Sequence, residues 1–261
     1  MPIQPTVTLT EEQIAFYREN GFLAIPAITT QEEIERLRGV YDRLFEQRAG
    51  RAEGNQFDLA GPDEEGRPAA LPQILSPRQY APELADTLAE ANGLAIARQL
   101  LGPDAAFTGD HAIFKPARSG AATPWHQDEA YWDPAMDYNS ISIWVPLQEA
   151  TRENGCMQFI PGSGGWEVMP HRSLGGDTRI HGLETVAPVD ESRAAACPLA
   201  AGGATIHNSR TLHYTGANRS DVPRRAYILG FGAPATPRSD GRRFPWNEAM
   251  RTAREQRSKA R

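Results

Sequence analysis

The chain has 261 residues, a formal net charge of −6 and a hydrophobic content of 40%. The acidic balance disfavours nucleic acid or an anionic membrane as the main partner, and no apolar run approaches the ~20 residues that span a bilayer. The first residues lack the basic and apolar regions of a signal peptide. Two cysteines, Cys156 and Cys197, are too few for a disulfide framework. We therefore expect a cytoplasmic protein.

Helical elements dominate the predicted N-terminal part. Thr10 and Thr30 each begin a capping box, and helical periodicity follows the second one. Gly21 is a typical helix stop, and residues 22–25 form an apolar run that predicts a buried strand. A third helix is predicted over 82–101, before Gly102-Pro103.

Residues 49–75 are rich in Gly, Pro and charged residues and show little periodicity. A plain surface loop is the simpler interpretation. A lid that keeps water out of a reaction site is the alternative, because long irregular segments in compact domains are often functional.

Residues 140–147 alternate cleanly between aliphatic and polar side chains. Ser140, Ser142 and Trp144 share one face, where a large aromatic residue is unusual. This face is predicted to line a ligand cavity, with ordinary packing of Trp144 as the alternative. Asn154-Gly155 then predicts a tight hairpin turn.

A strand-like run over 204–215 is followed by turn residues at 216–221 and a second strand at 225–231. If these strands form a hairpin, an arginine lies beside the strand that carries His213, where its planar fork could bind a carboxylate. His171 and His181 have no partner at ligand spacing and are predicted to be loop or surface residues. No function is predicted for the basic C-terminal tail.

Metal-ligand chemistry is indicated by the His126-Gln127-Asp128 segment together with His213. Side chains two apart in an extended segment point to one side, so His126 and Asp128 can reach one ion. Two imidazoles and one carboxylate on one face of a metal are typical of non-heme Fe(II) oxygenases. A His-x-Asp pair alone is a weak motif.

The chain resembles the phytanoyl-CoA dioxygenase family of Fe(II)- and 2-oxoglutarate-dependent oxygenases. The likeness extends over about residues 10–232 and includes the segments 20–26 and 153–163. It implies that His126, Asp128 and His213 hold iron. It also implies that 2-oxoglutarate is contacted by four residues at family spacing from these ligands: Arg224, Thr215, Trp144 and Gln127. His207 is rejected as the distal ligand, because Asn218 would then occupy the arginine position.

The resemblance further implies a mainly β (α+β) fold, a double-stranded β-helix or jelly roll with N-terminal buttressing helices. One domain over 1–261 is expected, with a helical part at about 10–101, a jelly-roll core at about 105–232 and a tail at 233–261. The implied reaction hydroxylates a small molecule with O2 as oxidant and releases succinate and CO2. Predicted substrate contacts are His111, Lys115, Tyr131 and Trp132, although Lys115 could equally be a solvated lysine.

Several alternatives stay open at this level. The carboxylate of Asp128 favours hydroxylation over halogenation, but desaturation, ring closure and epimerisation use the same ligands. A cupin-like isomerase and a non-catalytic metal-binding protein are further candidates. Family members usually carry His where this chain has Gly164, which predicts a roomier or more mobile rim. Substrate identity and oligomeric state are not predicted.

Overall fold

The structure, a computed structural model, describes residues 3–118 and 121–259. The first two residues of the predicted domain and Arg261 of the predicted basic tail lie outside these ranges. The described helices are α1 Glu11–Asn20, α2 Gln31–Glu46, α3 Leu88–Leu101, α4 Pro245–Ala249 and α5 Ala253–Lys259. Among the described residues, no helix has the length and apolar content needed to span a membrane.

Fifteen strands lie within the described residues. In chain order they are β1 Phe22–Ile25, β2 Gln56–Asp58, β3 Pro72–Leu75, β4 Ala106–Lys115, β5 Thr123–His126, β6 Met136–Asp137, β7 Ser140–Pro146, β8 Met157–Phe159, β9 His171–Ser173, β10 Leu183–Thr185, β11 Ala195–Cys197, β12 Ala204–Asn208, β13 His213–Thr215, β14 Arg224–Gly232 and β15 Thr236–Pro237.

Two antiparallel sheets form the body of the fold. The larger has the strand order β1-β12-β7-β14-β4-β3-β2, and the smaller has the order β11-β8-β13-β5. The pairs β9–β10 and β6–β15 lie outside both sheets. This is the predicted jelly roll, in which side chains from the inner faces of both sheets can line one cavity.

The N-terminal helices buttress the larger sheet, as predicted. Ile34, Leu37 and Leu44 of α2 are fully or almost fully buried in the main hydrophobic core, each contributing roughly 1.5–3 kcal/mol. The hydroxyl of Tyr41 donates to the carbonyl of Ala226 in β14 at 2.7 Å, so the helix is also hydrogen-bonded to the sheet.

The predicted helix boundaries hold in most places. The reciprocal bonds of the Thr10 capping box are both present, and α1 ends at Gly21 with φ 79°. The third helix begins at Leu88 rather than at residue 82. Pro82–Leu84 forms a separate 3-10 turn, and Thr87 caps the helix.

Residues 49–75, predicted as a surface loop or a lid, are irregular or in turns over most of their length but also contain two short strands. This segment contributes β2 and β3, which extend one edge of the larger sheet. The strands have three and four residues, and all three side chains of β2 are buried. Strands this short with no alternation leave no periodic pattern to detect.

The predicted hairpin between 204–215 and 225–231 was also wrong. β13 pairs with β5 and β8 in the smaller sheet, whereas β14 pairs with β4 and β7 in the larger one. The run 204–215 itself divides into β12 and β13, one in each sheet. Likewise Asn154-Gly155 lies between strands of different sheets. A hairpin assumes that neighbours in sequence pair, but a jelly roll alternates between its sheets.

Candidate metal centre and ligand cavity

A cavity with a volume of about 740 Å³ lies between the two sheets. Ser140, Ser142 and Trp144 of β7 line it, as the alternation of that strand predicted. The volume is within the ~300–1,000 Å³ typical of small-molecule sites.

The three predicted metal ligands meet at one end of this cavity. His126 ends β5, Asp128 follows after one extended residue, and His213 begins β13, directly paired with His126. One ligand atom from each residue lies within 4.8 Å of the others. The structure therefore brings His126, Asp128 and His213 together as a candidate metal centre.

Hydrogen bonds to the backbone orient both imidazoles. Nδ1 of His126 donates to the carbonyl of Pro124 at 2.7 Å, and Nδ1 of His213 donates to that of Thr211 at 2.9 Å. A carbonyl oxygen only accepts, so Nδ1 must carry the proton in each ring. The lone pair of each Nε2 is then available for a metal, as in most His–metal sites.

The two carboxylate oxygens of Asp128 make different contacts. Oδ1 lies 3.8 Å from Nε2 of His126 and 3.4 Å from Nε2 of His213. Oδ2 accepts a hydrogen bond from the hydroxyl of Ser142 at 2.7 Å. Oδ1 is thus the oxygen that faces the two imidazoles, and Ser142 fixes its direction.

The protonation states suit metal binding. Burial and the neighbouring His213 lower the pKa of His126 to about 3, so this imidazole is neutral at neutral pH. Burial would raise the pKa of Asp128, but His213 and His207 lower it well below its ordinary value. Neutral imidazoles and an ionised carboxylate are the forms that bind metals.

His207, rejected as the distal ligand, lies beside the centre. Its Nε2 is 3.3 Å from Oδ2 of Asp128, and its ring centroid is 4.4 Å from that of His213. Burial lowers the pKa of His207. His207 thus contacts the Asp128 oxygen that faces away from His126 and His213. The spacing of residues in the sequence could not reveal this contact.

Arg224 lies buried in the cavity wall near these ligands. It is 1% exposed, and its Nε and Nη1 have no hydrogen-bond partner within the described ranges. Its guanidinium carbon lies 5.3 Å from the ring centroid of Trp144. Burial lowers the pKa of Arg224 to about 10, so the group stays charged at neutral pH. Such a buried, unpaired cation is costly and suits an anion.

A pair of hydroxyls from the smaller sheet lines the same cavity. Thr215 Oγ1 donates to Thr123 Oγ1 at 3.0 Å, and both side chains line the cavity with Arg224. The sequence analysis identified Thr215 but missed Thr123. An arginine with two adjacent hydroxyls can hold one carboxylate through several hydrogen bonds.

The structure does not bring Gln127 to the cavity. Its extended backbone places its side chain opposite those of His126 and Asp128. The side-chain amide donates to the carbonyls of Arg210 at 2.8 Å and Glu167 at 3.3 Å, and its oxygen accepts from the amide of Met169. Gln127 therefore anchors a loop, and the predicted contact with 2-oxoglutarate does not fit.

Lys115 is neither a cavity residue nor solvated. It is fully buried, and its ammonium donates to the carbonyls of Ala121, Thr215 and Gly216 at 3.3, 3.2 and 2.6 Å. Burial and the nearby Arg224 lower its pKa well below the ordinary value. It ties the end of β4 to the end of β13 and does not contact substrate.

The other predicted substrate contacts, His111, Tyr131 and Trp132, do line the cavity. So does His181, which lies in a loop as predicted. The same prediction was wrong for His171, which is in β9, is 4% exposed and accepts a hydrogen bond from the backbone amide of Gln127. Both histidines belong to the segment around β9 and β10, whose position depends on long-range contacts.

Gly164, where family members usually carry His, does not create a roomier rim. A Cβ at this position would lie 2.8 Å from Thr211 Oγ1 and 3.1 Å from the Cα of Gly21. Two chain segments pack too closely here for a side chain, and Gly164 does not line the cavity.

Comparisons with known proteins agree with this geometry. The phytanoyl-CoA dioxygenase (PhyH) family model matches residues 17–226. A probable alpha-ketoglutarate-dependent hypophosphite dioxygenase of Stutzerimonas stutzeri is 25% identical over 228 residues, covering 85% of this chain and 78% of that protein.

Two solved structures are similar over almost the whole chain. EvdO2 from Micromonospora carbonacea var. aurantiaca, crystallised with 2-oxoglutarate, is 39% identical with a TM-score of 0.80, covering 95% of this chain and 100% of that one. SnoK, a non-heme alpha-ketoglutarate-dependent carbocyclase from nogalamycin biosynthesis, is 26% identical with a TM-score of 0.70, covering 91% of each chain. The chain therefore belongs to the phytanoyl-CoA dioxygenase family of non-heme iron and 2-oxoglutarate-dependent oxygenases.

Proposed function

We propose that this protein uses Fe(II), 2-oxoglutarate and O2 to hydroxylate an unactivated C–H bond of a small molecule. The observation that carries the proposal is the pairing of two sites in one cavity. His126, Asp128 and His213 form a metal-ligand triad, and Arg224 presents a buried guanidinium that has no anionic partner among the described residues.

The protein residues orient the reactants. His126, Asp128 and His213 hold iron on one side and leave its other positions open. Arg224 and Thr215 bind the distal carboxylate of 2-oxoglutarate, which satisfies the unpaired guanidinium and fixes the co-substrate beside the metal. Bound iron and 2-oxoglutarate supply the oxidising chemistry, in which O2 and 2-oxoglutarate yield succinate, CO2 and one oxygen atom for the substrate.

The rest of the cavity receives the substrate. His111, Tyr131 and Trp132 line it and are the proposed contacts. The walls exclude bulk water and orient the reacting C–H bond, which are the protein's main contributions in cofactor enzymes. No side chain is required as a general base.

Ring closure is a second candidate outcome, because the carbocyclase SnoK has the same fold at 26% identity. Product mass separates the outcomes. Hydroxylation adds one oxygen atom, desaturation and oxidative ring closure remove two hydrogen atoms, and epimerisation changes no mass.

The test is a panel of small metabolites incubated with the Fe(II)-loaded protein, 2-oxoglutarate and O2, with succinate measured for each. Substrate-dependent succinate and a product heavier by one oxygen atom are expected. A product with two hydrogens fewer would replace hydroxylation with desaturation or ring closure. Iron and 2-oxoglutarate binding without succinate from any compound would favour the non-catalytic alternative.

A further inference from the structure

The end of the cavity away from the metal centre contains a second cation, supplied by the C-terminal tail. Arg254 of α5 lines the cavity. Its Nε donates to the carbonyl of Gly54 at 2.9 Å, and its guanidinium carbon lies 4.8 Å from the ring centroid of Phe57. These contacts hold the side chain in the wall and leave its two terminal nitrogens without a hydrogen-bond partner among residues 3–118 and 121–259.

This arginine also lacks an ion-pair partner. Over the described ranges, no carboxylate oxygen lies within 4.0 Å of its nitrogens. Arg257, on the same helix, pairs with Asp63. The charged cavity residues besides Arg254 are Asp104, Asp128 and Arg224. Iron and 2-oxoglutarate neutralise the last two, while Asp104 is not within pairing distance of Arg254. Glu255 of the same helix attracts Arg254 but does not form an ion pair with it, so a half-buried cation without a salt bridge to any described residue faces the cavity.

The imidazole of His181 lies next to this cation, and a second imidazole, that of His111, lines the same cavity. His181 packs edge-on against Phe57, with ring centroids 4.8 Å apart, so Phe57 contacts both His181 and Arg254. His181 Nδ1 is buried and has no hydrogen-bond partner in the described part of the chain. His111 projects from β4 into the same cavity. Each imidazole can donate one N–H without carrying a charge.

The charge of Arg254 acts on both imidazoles. Burial and Arg254 lower the pKa of His181 to about 3, and His111 contributes to this shift. Burial lowers the pKa of His111; Asp128 and Asp110 oppose this shift, and Arg254 adds to it. Both rings are therefore neutral at neutral pH, and Arg254 supplies the one positive charge of the cluster.

We propose that Arg254, His181 and His111 form an anion subsite that binds a carboxylate or phosphate group of the substrate. The proposal rests on the proposed function, because it assigns the substrate class of that site. Tyr131 lies between the subsite and the metal: its ring is 5.5 Å from that of His181 and 6.1 Å from that of His126. The ring of Tyr131 thus separates the anionic group from the metal centre. The reacting carbon of the substrate lies between the anion subsite and the metal centre.

The test is calorimetric titration of the full chain, anaerobic and saturated with Fe(II) and 2-oxoglutarate, so that Arg224 is already occupied. Benzoate and phenyl phosphate are the anionic probes, and benzamide is the neutral probe of similar shape. We expect at least one anion to bind about tenfold or more tightly than benzamide, as charge-assisted hydrogen bonds predict. The stronger of the two anions distinguishes a carboxylate from a phosphate.

Three variants assign the preference to Arg254. Arg254→Gln should abolish it, and Arg254→Lys should keep part of it, because a charge remains. Arg251→Gln is the matched control: it removes one charge from the same tail, where Arg251 bonds only backbone carbonyls. If Arg254 only anchors the tail, the Gln and Lys variants should weaken all three probes alike, and the proposal is overturned.

Equal affinity of wild type for benzoate, phenyl phosphate and benzamide, or no measurable anion binding, also overturns the proposal. The proposed function fails separately. Its failure appears as absence of the Fe(II)–2-oxoglutarate charge-transfer absorption in wild type, whereas failure of the subsite leaves that absorption intact.

Discussion

The two ends of the cavity are built in different ways. At the metal end, the ligands His126, Asp128 and His213 come from the ends of two paired strands. Backbone carbonyls orient the two imidazoles, and Ser142 orients the carboxylate. At the other end, His181 and Arg254 come from a loop and from the C-terminal tail. Among the described residues, Nδ1 of His181 has no hydrogen-bond partner, and Arg254 bonds only through its Nε, to the carbonyl of Gly54.

This difference separates the part of the site that performs the reaction from the part that binds the substrate. A metal centre needs ligand atoms held within a few tenths of an ångström, so it is placed on paired strands with supporting hydrogen bonds. A substrate subsite needs unused donors, and loops and tails can supply them without changing the sheets. The variants below test this contrast, beginning with the largest expected effect.

Asp128→Ala should have the largest effect, because it removes one of three iron ligands. We expect iron affinity to fall by more than about 100-fold, beyond the 10–100-fold typical of supporting residues, with loss of coupled turnover. Iron content after desalting and succinate release measure it. Asp177→Ala, at an exposed carboxylate paired with Arg179, is the control. Wild-type activity of Asp128→Ala without added formate would contradict the ligand assignment.

Arg224→Gln should lower the affinity for 2-oxoglutarate by about 100-fold and leave iron binding intact, because the lost contact is a buried charge pair. The charge-transfer absorption during an anaerobic titration gives the affinity. Arg225→Gln is a close control, since the guanidinium of Arg225 pairs with Asp42 at 2.7 Å, away from the cavity.

The same variant has an opposite effect on stability. Without 2-oxoglutarate, Nε and Nη1 of the buried Arg224 have no hydrogen-bond partner in the described part of the chain, so Arg224→Gln should raise the unfolding temperature of the metal-free chain. A lower unfolding temperature would mean that Arg224 has a structural partner.

Ser142→Ala should weaken iron binding by about tenfold, because Asp128 loses the hydrogen bond that directs its other oxygen. Ser140, two residues earlier on the same face of β7, has a hydroxyl without a partner among the described residues. Ser140→Ala should therefore change iron affinity less than twofold. Equal effects of the two variants in a competition titration would show that Ser142 does not position Asp128.

The pH dependence of stability is the least site-specific of these effects, because both ends of the cavity contribute to it. The pKa is about 4 for His171 and about 3 for His126 and His181, against about 6.5 in an unfolded chain. The unfolded state thus binds more protons below pH 6.5. The stabilisation is complete above that pH and is lost as pH falls towards the folded values.

Chemical denaturation of the metal-free chain between pH 7.5 and 5 measures this loss. Each such histidine contributes a slope of up to about 1.4 kcal/mol per pH unit below pH 6.5. His171→Gln and His181→Gln should each reduce the slope by about one proton. An unchanged slope in either variant would show that the missing imidazole is already protonated in the folded chain.

The sequence alone determined the family, the jelly roll, the metal triad, Arg224 and the cavity face of β7. The family resemblance implied all of these except the cavity face of β7, and the motif that carries it is local: two ligands two positions apart and a fixed offset from His213 to Arg224. Strand alternation predicted the cavity face of β7. Such spacing can be read without knowing how the strands pair.

Only the tertiary structure decided which strands face each other, and several predictions failed for that reason. Arg224 reaches the metal end from the opposite sheet, β2 and β3 extend the sheet edge, and Gln127 and Lys115 turn out to be anchors. Arg254 is more than 120 residues from Asp128 in sequence, and no pattern in the tail places it in the cavity. Long-range packing sets these contacts. Burial stabilises the arrangement of the whole chain, and contacts between distant segments leave no periodic pattern in the local sequence.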